Sequence, residues 1–210
     1  MGGEAGAALR SLRLRSQTDL KIVGILLAAG SGSRFGSDKL RHALPHGVAI
    51  AVQAARHLTS QVTVVAVVRP GSDELAAALQ AEGCAIVVCD NAAEGMGATL
   101  ACGVRATPEA DAWLVALGDM PFVRPTAIAA VRAALEEGAP LTAPYFHGRR
   151  GHPVGISARY RADLAGIGGD EGAKALLLRH SADLRKIPVG DPGVIRDIDR
   201  PEDLAPPLRV

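Results

Sequence analysis

Lys21-Ile22-Val23-Gly24-Ile25-Leu26-Leu27-Ala28 runs without a break into Ala29-Gly30-Ser31-Gly32-Ser33-Arg34-Phe35-Gly36-Ser37-Asp38-Lys39. The first eight residues have the length and apolar continuity of a strand buried on both faces. The loop that follows holds three glycines and three serines, so its backbone can turn sharply and aim N–H groups at an anion. Its spacing is GxGxxxG, which is neither the GxGxxG dinucleotide fingerprint nor a GxxxxGK[ST] P-loop. Arg34, a planar fork, and Lys39, a point charge, both suit phosphate oxygens. Lys39 stands out because the chain has only four lysines against nineteen arginines. A glycine-rich turn with solvated basic residues is the plain alternative.

Outward from this strand, apolar runs alternate with helix-like segments. Val62 to Val68, Cys84 to Cys89, Ala112 to Leu117 and Leu141 to Tyr145 read as strands. Val48 to Leu58, the Ala/Leu segment opened by Ser72, Met96 to Arg105 and Pro125 to Glu137 read as helices, with Ser72 as an N-cap and Pro125 in a first turn. This alternation predicts α/β: a single Rossmann-like nucleotide-binding domain, with a mostly parallel sheet and helices on both faces. After Tyr145 the rhythm changes. A basic turn, His147 to Pro153, leads into a returning strand, Val154 to Ser157. A helix is expected over Glu171 to His180, short strands over Ile187 to Val189 and Val194 to Ile198, and a last helix from Pro201. Residues 1 to 20 read as a flexible N-terminal tail and 21 to 210 as the folded domain.

The composition narrows the function. The 210 residues carry a formal net charge of +1 with 48% hydrophobic residues, a balance that excludes disorder and gives no electrostatic footprint for nucleic acid or an anionic membrane. Aromatics are 3%, too few for a base-stacking platform. No apolar run approaches the roughly 20 residues of a membrane span. Cys84, Cys89 and Cys102 are odd in number and lack CxxC spacing, which argues against disulfides and zinc and for small hydrophobes in a reducing cytoplasm.

In an open α/β sheet, ligands bind beyond the carboxyl ends of the strands, and the unusual residues cluster in those loops. Asp119, in Gly118-Asp119-Met120-Pro121 after the fourth strand, either caps a turn or holds a divalent cation beside phosphates. The helix that opens at Gly95-Met96-Gly97-Ala98-Thr99 would aim free N–H groups at the same cleft, with Met96 read as core. Arg149, Arg150, Gly151 and His152 form a turn that either grips an anionic substrate or is a solvated hairpin tip. Asp197 and Asp199, two apart on a strand, point the same way and offer a second oxygen ligand; a helix cap before Pro201 is the alternative.

These stretches, in this order, resemble the MobA-like nucleotidyltransferases, and among them the molybdenum cofactor cytidylyltransferases. The match runs from about residue 22 to about 204. It rests on Leu27-Ala28-Ala29-Gly30-Ser31-Gly32-Ser33-Arg34-Phe35-Gly36-Ser37-Asp38-Lys39-Leu40 against LAAGxSxRFGxDKL. Gly95-Met96-Gly97, Gly118-Asp119-Met120-Pro121, Gly151-His152-Pro153 and the Asp197-Ile198-Asp199…Pro201-Glu202-Asp203-Leu204 ending also correspond. The segment Arg41 to Ile50 departs from the family's GxPLL, and Arg200 stands where Thr is usual. The resemblance implies transfer of CMP from CTP to the terminal phosphate of molybdopterin, with Mg²⁺ as cofactor and release of pyrophosphate. Ala29 resembles the CTP-using branch, where guanylyl-transferring relatives have LAGG.

By position, the resemblance puts Leu27, Ala28, Ala29, Gly30, Ser31, Gly32, Gly97 and Thr99 at the nucleotide. Lys39, Arg34 and Asp119 take the catalytic roles, Asp119 and Asp199 hold the metal with Asp197 left open, and Arg149 to His152 meet the acceptor. The implied partners are CTP, a molybdopterin-type small molecule and a recipient molybdoenzyme in the cytoplasm, with no nucleic acid and no membrane. GTP or another phosphorylated acceptor, and a non-catalytic cofactor carrier or chaperone, are the competing readings. A nicotinamide oxidoreductase ranks lower, because the second strand ends in Val68-Arg69-Pro70 with no acidic residue.

Overall fold

The computed structural model describes residues 20–30, 38–170 and 172–204. Most of the expected tail, residues 1–19, and the expected nucleotide contacts Ser31, Gly32 and Arg34 lie outside them. Eight strands form one sheet: β1 (Ile22–Leu27), β2 (Thr63–Val68), β3 (Ala85–Val88), β4 (Ala112–Leu117), β5 (Leu141–Phe146), β6 (Arg149–Arg150), β7 (Val154–Ser157) and β8 (Leu184–Pro188). The helices are α1 (Ile50–Thr59), α2 (Asp73–Ala81), α3 (Met96–Arg105), α4 (Pro125–Glu136), α5 (Arg161–Ala165) and α6 (Lys174–Arg179). No described helix is long and apolar enough to cross a membrane.

The strand order is β3-β2-β1-β4-β7-β5-β6, with β8 also on β5. β1 pairs in parallel with β2 on one side and β4 on the other. The chain therefore leaves β1 in one direction and returns on its far side, which opens a crevice beyond the carboxyl ends of β1 and β4. All six residues of β1 are buried, and their alternation feeds two cores. Leu26 faces the core with Ala55 and Leu58 of α1, Leu79 of α2 and Val131 of α4. Ile25 and Leu27 face the core with Leu100 and Val104 of α3, Leu164 of α5 and Leu176 of α6. Each such side chain contributes about 1.5–3 kcal/mol on leaving water, so β1 is clamped by both layers.

Beyond β4 the sheet is mixed. β7 runs antiparallel to β4 and β5, and β6 antiparallel to β5, while β8 is parallel to β5. Only His147 and Gly148 separate β5 from β6, too few for a crossover. Both take positive φ, +47° and +76°, as a two-residue hairpin turn requires.

The last third differs most from expectation. The strand near 187 begins earlier, at Leu184. The helix expected over 171–180 is described only over Lys174–Arg179, following a Gly172 with φ of +52°. The strand expected over Val194 to Ile198 is a 3₁₀ turn, Pro192–Ile195, followed by extended chain. Asp191 accounts for this: its carboxylate accepts from the backbone N–H of Gly193 (3.0 Å) and of Arg124 (2.8 Å), which fixes a turn there. The last segment, Pro201–Leu204, is also 3₁₀.

Candidate active site

The carboxyl ends of β1 to β4 border one cavity of about 650 Å³. β1 contributes Leu27, Ala29 and Gly30; β2, Arg69 and Pro70; β3, Asp90 and Ala92; β4, Leu117 and Asp119. Lys39, Thr99 and Asp170 close its sides.

Lys39 opens a 3₁₀ turn pinned to the core by Leu40, which is buried. Its Nζ lies 2.9 Å from Asp119 Oδ2 and 3.3 Å from Asp199 Oδ1. Burial alone would lower its pKa. The charge and hydrogen bond of Asp119, then those of Asp199, outweigh burial and leave the pKa above its ordinary value. The ammonium is therefore held charged between two carboxylates that follow it by 80 and 160 positions.

Asp119 sits at the turn that ends β4, where Gly118 still donates to Leu27 O (2.9 Å). Its own carbonyl accepts from Ile198 N–H (2.9 Å), which stitches the Asp197-Ile198-Asp199 segment onto this turn. Ile198 is fully buried beside Leu44 and Ile50, so its two neighbours stay on the solvent side. One carboxylate oxygen each from Asp119, Asp197 and Asp199 lie within 4.8 Å of one another. Three hard oxygen donors at that spacing fit a divalent cation such as Mg²⁺. Both Asp197 and Asp199 reach the cluster, although the segment is not a strand.

The nucleotide contacts expected from sequence divide. Leu27, Ala29, Gly30 and Thr99 border the cavity. Ala28 does not: it is buried in the core and its N–H continues the ladder to Val67 O (2.9 Å). Gly97 is a second correction. Its N–H donates to Gly169 O (2.7 Å), so it is not free for a phosphate. A Cβ at Gly97 would lie 2.5 Å from Gly168 O, and one at Gly95 would lie 2.4 Å from Asp170 Oδ1. These glycines let the 168–170 backbone dock on the start of α3. Met96, read as core, is exposed and borders the cavity.

The expected acceptor turn is also revised. None of Arg149, Arg150, Gly151 and His152 borders the cavity. Gly151 donates to Pro144 O (2.8 Å) and packs on the Val194 carbonyl, so its N–H is already committed. His152 is directed inward. Burial first, with help from the Arg150 charge, pushes its pKa down to about 4 against the pull of the Val115 carbonyl and Asp197. It is neutral at pH 7 and supplies no charge to an anion. Arg149 is exposed and Arg150 half-buried on β6.

Arg69, Pro70, Asp90 and Asp170 were not identified from sequence. The first three lie within two residues of a strand's carboxyl end, and that position was the available signal. Cys84 and Cys89 are buried, and burial pushes both thiols up to about 11, as expected of small hydrophobes.

Comparison with known proteins gives a consistent picture. The family described as "MobA-like NTP transferase domain" matches residues 24–184. A Paenarthrobacter nicotinovorans protein named nicotine blue oxidoreductase is 30% identical over 198 residues, covering 89% of this chain and 97% of that protein. The crystal structure of an Rv0371c homologue from Mycobacterium sp. strain JC1 has a TM-score of 0.73 at 26% identity, covering 87% of this chain and 92% of that one. Rv0371c of Mycobacterium tuberculosis H37Rv, in complex with manganese, has a TM-score of 0.68 at 24% identity, covering 87% of this chain and 95% of that one; that likeness is one of fold.

Proposed function

The chain belongs to the MobA-like NTP transferase family and is a nucleotidyltransferase; from that premise we propose that it transfers CMP from CTP to the terminal phosphate of a molybdopterin-type acceptor. The observation that carries this reading is the convergence of Lys39, Asp119, Asp197 and Asp199 at the switch-point cavity. CTP, rather than GTP, follows from the LAAG form of residues 27–30, with Ala29 in the cavity wall.

In this mechanism an oxygen of the acceptor phosphate attacks the α-phosphorus of CTP in line. The new P–O bond forms as the bond to the β-phosphate breaks, and pyrophosphate leaves. A phosphate monoester has a second pKa near 6, so the attacking oxygen needs no protein base at pH 7. The burden on the chain is positioning and charge neutralisation. Asp119, Asp197 and Asp199 would hold Mg²⁺; bound there, the ion would neutralise charge on the α-phosphate and on the departing pyrophosphate. The manganese complex of Rv0371c supports a divalent ion in this fold. Lys39, held protonated by its carboxylates, is placed to move from them to phosphate oxygens when a nucleotide enters. A recipient molybdoenzyme would take the product in the cytoplasm.

The test is pyrophosphate release with Mg²⁺, CTP or GTP, and molybdopterin. Release with CTP that requires the acceptor is the expected result. A preference for GTP would overturn the Ala29 argument and leave the chemistry standing. Tight cofactor binding without release from any nucleotide would favour a carrier.

A second reading has its own support. The relative at 30% identity is named an oxidoreductase, and Arg69 stands at the end of β2, where NADP-binding sheets carry a cation for the 2′-phosphate. Oxidation of NADPH by an added electron acceptor, in the absence of nucleoside triphosphate, would establish it.

A further inference from the structure

Among the described residues, two cations border the 650 Å³ cavity, Lys39 and Arg69. They differ in one respect. Lys39 is neutralised by Asp119 and Asp199. Arg69 has no hydrogen-bond or ion-pair partner among the described residues, although it is half-buried. Other guanidinium groups are engaged, as Arg41 is on Glu74, Arg56 on Glu82, Arg124 on Asp191 and Arg185 on Glu137; those of Arg149, Arg150 and Arg200 are not paired among the described residues, but none of the three borders the cavity. A cation with no partner among the described residues, at the wall of a cavity, is available to meet a ligand.

Its place on the sheet says which part of the ligand. Arg69 follows β2, and β2 lies two strands from β4, with β1 between them. Neighbouring strands are about 4.8 Å apart, so Arg69 stands about 10 Å along the sheet edge from the Asp119 cluster. With the α-phosphate at that cluster, a nucleotide laid along this edge would pass its ribose over the end of β1 and bring its base to the end of β2. A guanidinium there presents two parallel N–H donors. Cytosine offers two adjacent acceptors, N3 and O2. Uracil has the same shape but carries a proton at N3, which faces the fork with a donor.

We propose that Arg69 reads the nucleobase, its donor fork accepting cytosine and rejecting uracil; guanine also offers two adjacent acceptors, N7 and O6, so this contact sets CTP against UTP and leaves the choice against GTP to the wall at Ala29. This rests on the nucleotidyltransferase reading and extends it, because the determinant is a side chain at the far end of the cavity from the reacting phosphate.

Calorimetric titration of the full chain with CTP and with UTP, in Mg²⁺ and without acceptor, tests it independently of turnover. Wild type should bind CTP more tightly than UTP. Arg69→Ala should reduce the CTP/UTP affinity ratio by roughly tenfold to a hundredfold, almost all of it in the CTP term. Arg69→Lys should behave similarly, since an ammonium cannot span both acceptors. Thermal melts of the variants should match wild type, as Arg69 holds no other group among the described residues. Equal weakening of both nucleotides would make Arg69 a phosphate contact and overturn the proposal, as would a wild type indifferent to the base. Loss of NADPH binding with an unchanged CTP/UTP ratio would assign the guanidinium to a 2′-phosphate and also overturn it. A wild type that binds neither triphosphate would remove the transferase reading itself.

Discussion

The strands from β3 to β4 and the chain that follows β4 meet at the same site and contribute to it differently. The parallel half supplies walls: Leu27, Ala29, Gly30, Pro70 and Leu117. These positions follow from strand ends, and the helices that cover them are local in sequence. The mixed half and the chain that follows it supply constraint. Asp197 and Asp199 reach Asp119 through a single backbone bond from Ile198, and the 168–170 backbone seals the start of α3. The difference teaches that the cavity's shape belongs to the sheet, while its charge is assembled from distant segments.

Asp119 joins the two halves, so its removal should have the largest effect. Asp119→Ala is expected to lower metal-dependent pyrophosphate release by roughly a hundredfold to a thousandfold. Retained activity would mean that Asp197 and Asp199 suffice and that the junction is not needed.

The mixed half should also be the more acid-sensitive. His152 titrates at about 4 in the folded chain against an ordinary 6.5. The unfolded chain therefore takes up a proton that the folded chain refuses as pH falls from about 6.5 to about 4. The stability tied to the neutral imidazole is present above pH 6.5 and is lost across that window, up to about 3 kcal/mol. Urea melts at pH 7 and pH 5 should show the loss, and His152→Gln should reduce it. A variant with an unchanged pH slope would place the acid sensitivity elsewhere.

Gly97 tests where the halves touch above α3. A methyl group at Gly97 would lie 2.5 Å from Gly168 O, so Gly97→Ala should cost about 1–3 kcal/mol. It should also raise protease sensitivity around residues 168–170. Unchanged denaturant melts would show that this contact is slack.

The smallest effect concerns Asp203, which touches no cavity atom. Its Oδ2 accepts from Asp199 N–H (3.1 Å) and Arg200 N–H (2.9 Å), fixing the backbone that carries Asp199. Asp203→Ala should raise the metal concentration for half-maximal activity about threefold, with turnover recovered at high metal. Asp203→Asn, which keeps an accepting oxygen, should restore the original value. Loss of turnover that metal cannot rescue would give Asp203 a different role.

Much of this was legible in the chain. The buried run at Ile22–Leu27 and the alternation through α4 determine the parallel half, because periodicity and turn chemistry are local. Lys39 and Asp119 were legible as well, since each sits in a loop of unusual composition. The mixed half was not. Val194 to Ile198 has a strand's composition, yet Asp191 bonds to two backbone N–H groups and imposes a turn. His152 and Gly97 sit in motifs that look ligand-facing, and their environment turns one into the interior and ties the other to Gly169. By itself the sequence determined which residues form the strands and which loops carry chemistry, because those depend on neighbours a few residues away. Only the tertiary structure decided that Lys39 is neutralised while Arg69 meets no acidic partner among the described residues. Whether a charge finds a partner depends on what the sheet brings beside it, and strand order, unlike strand identity, is not written within any one segment.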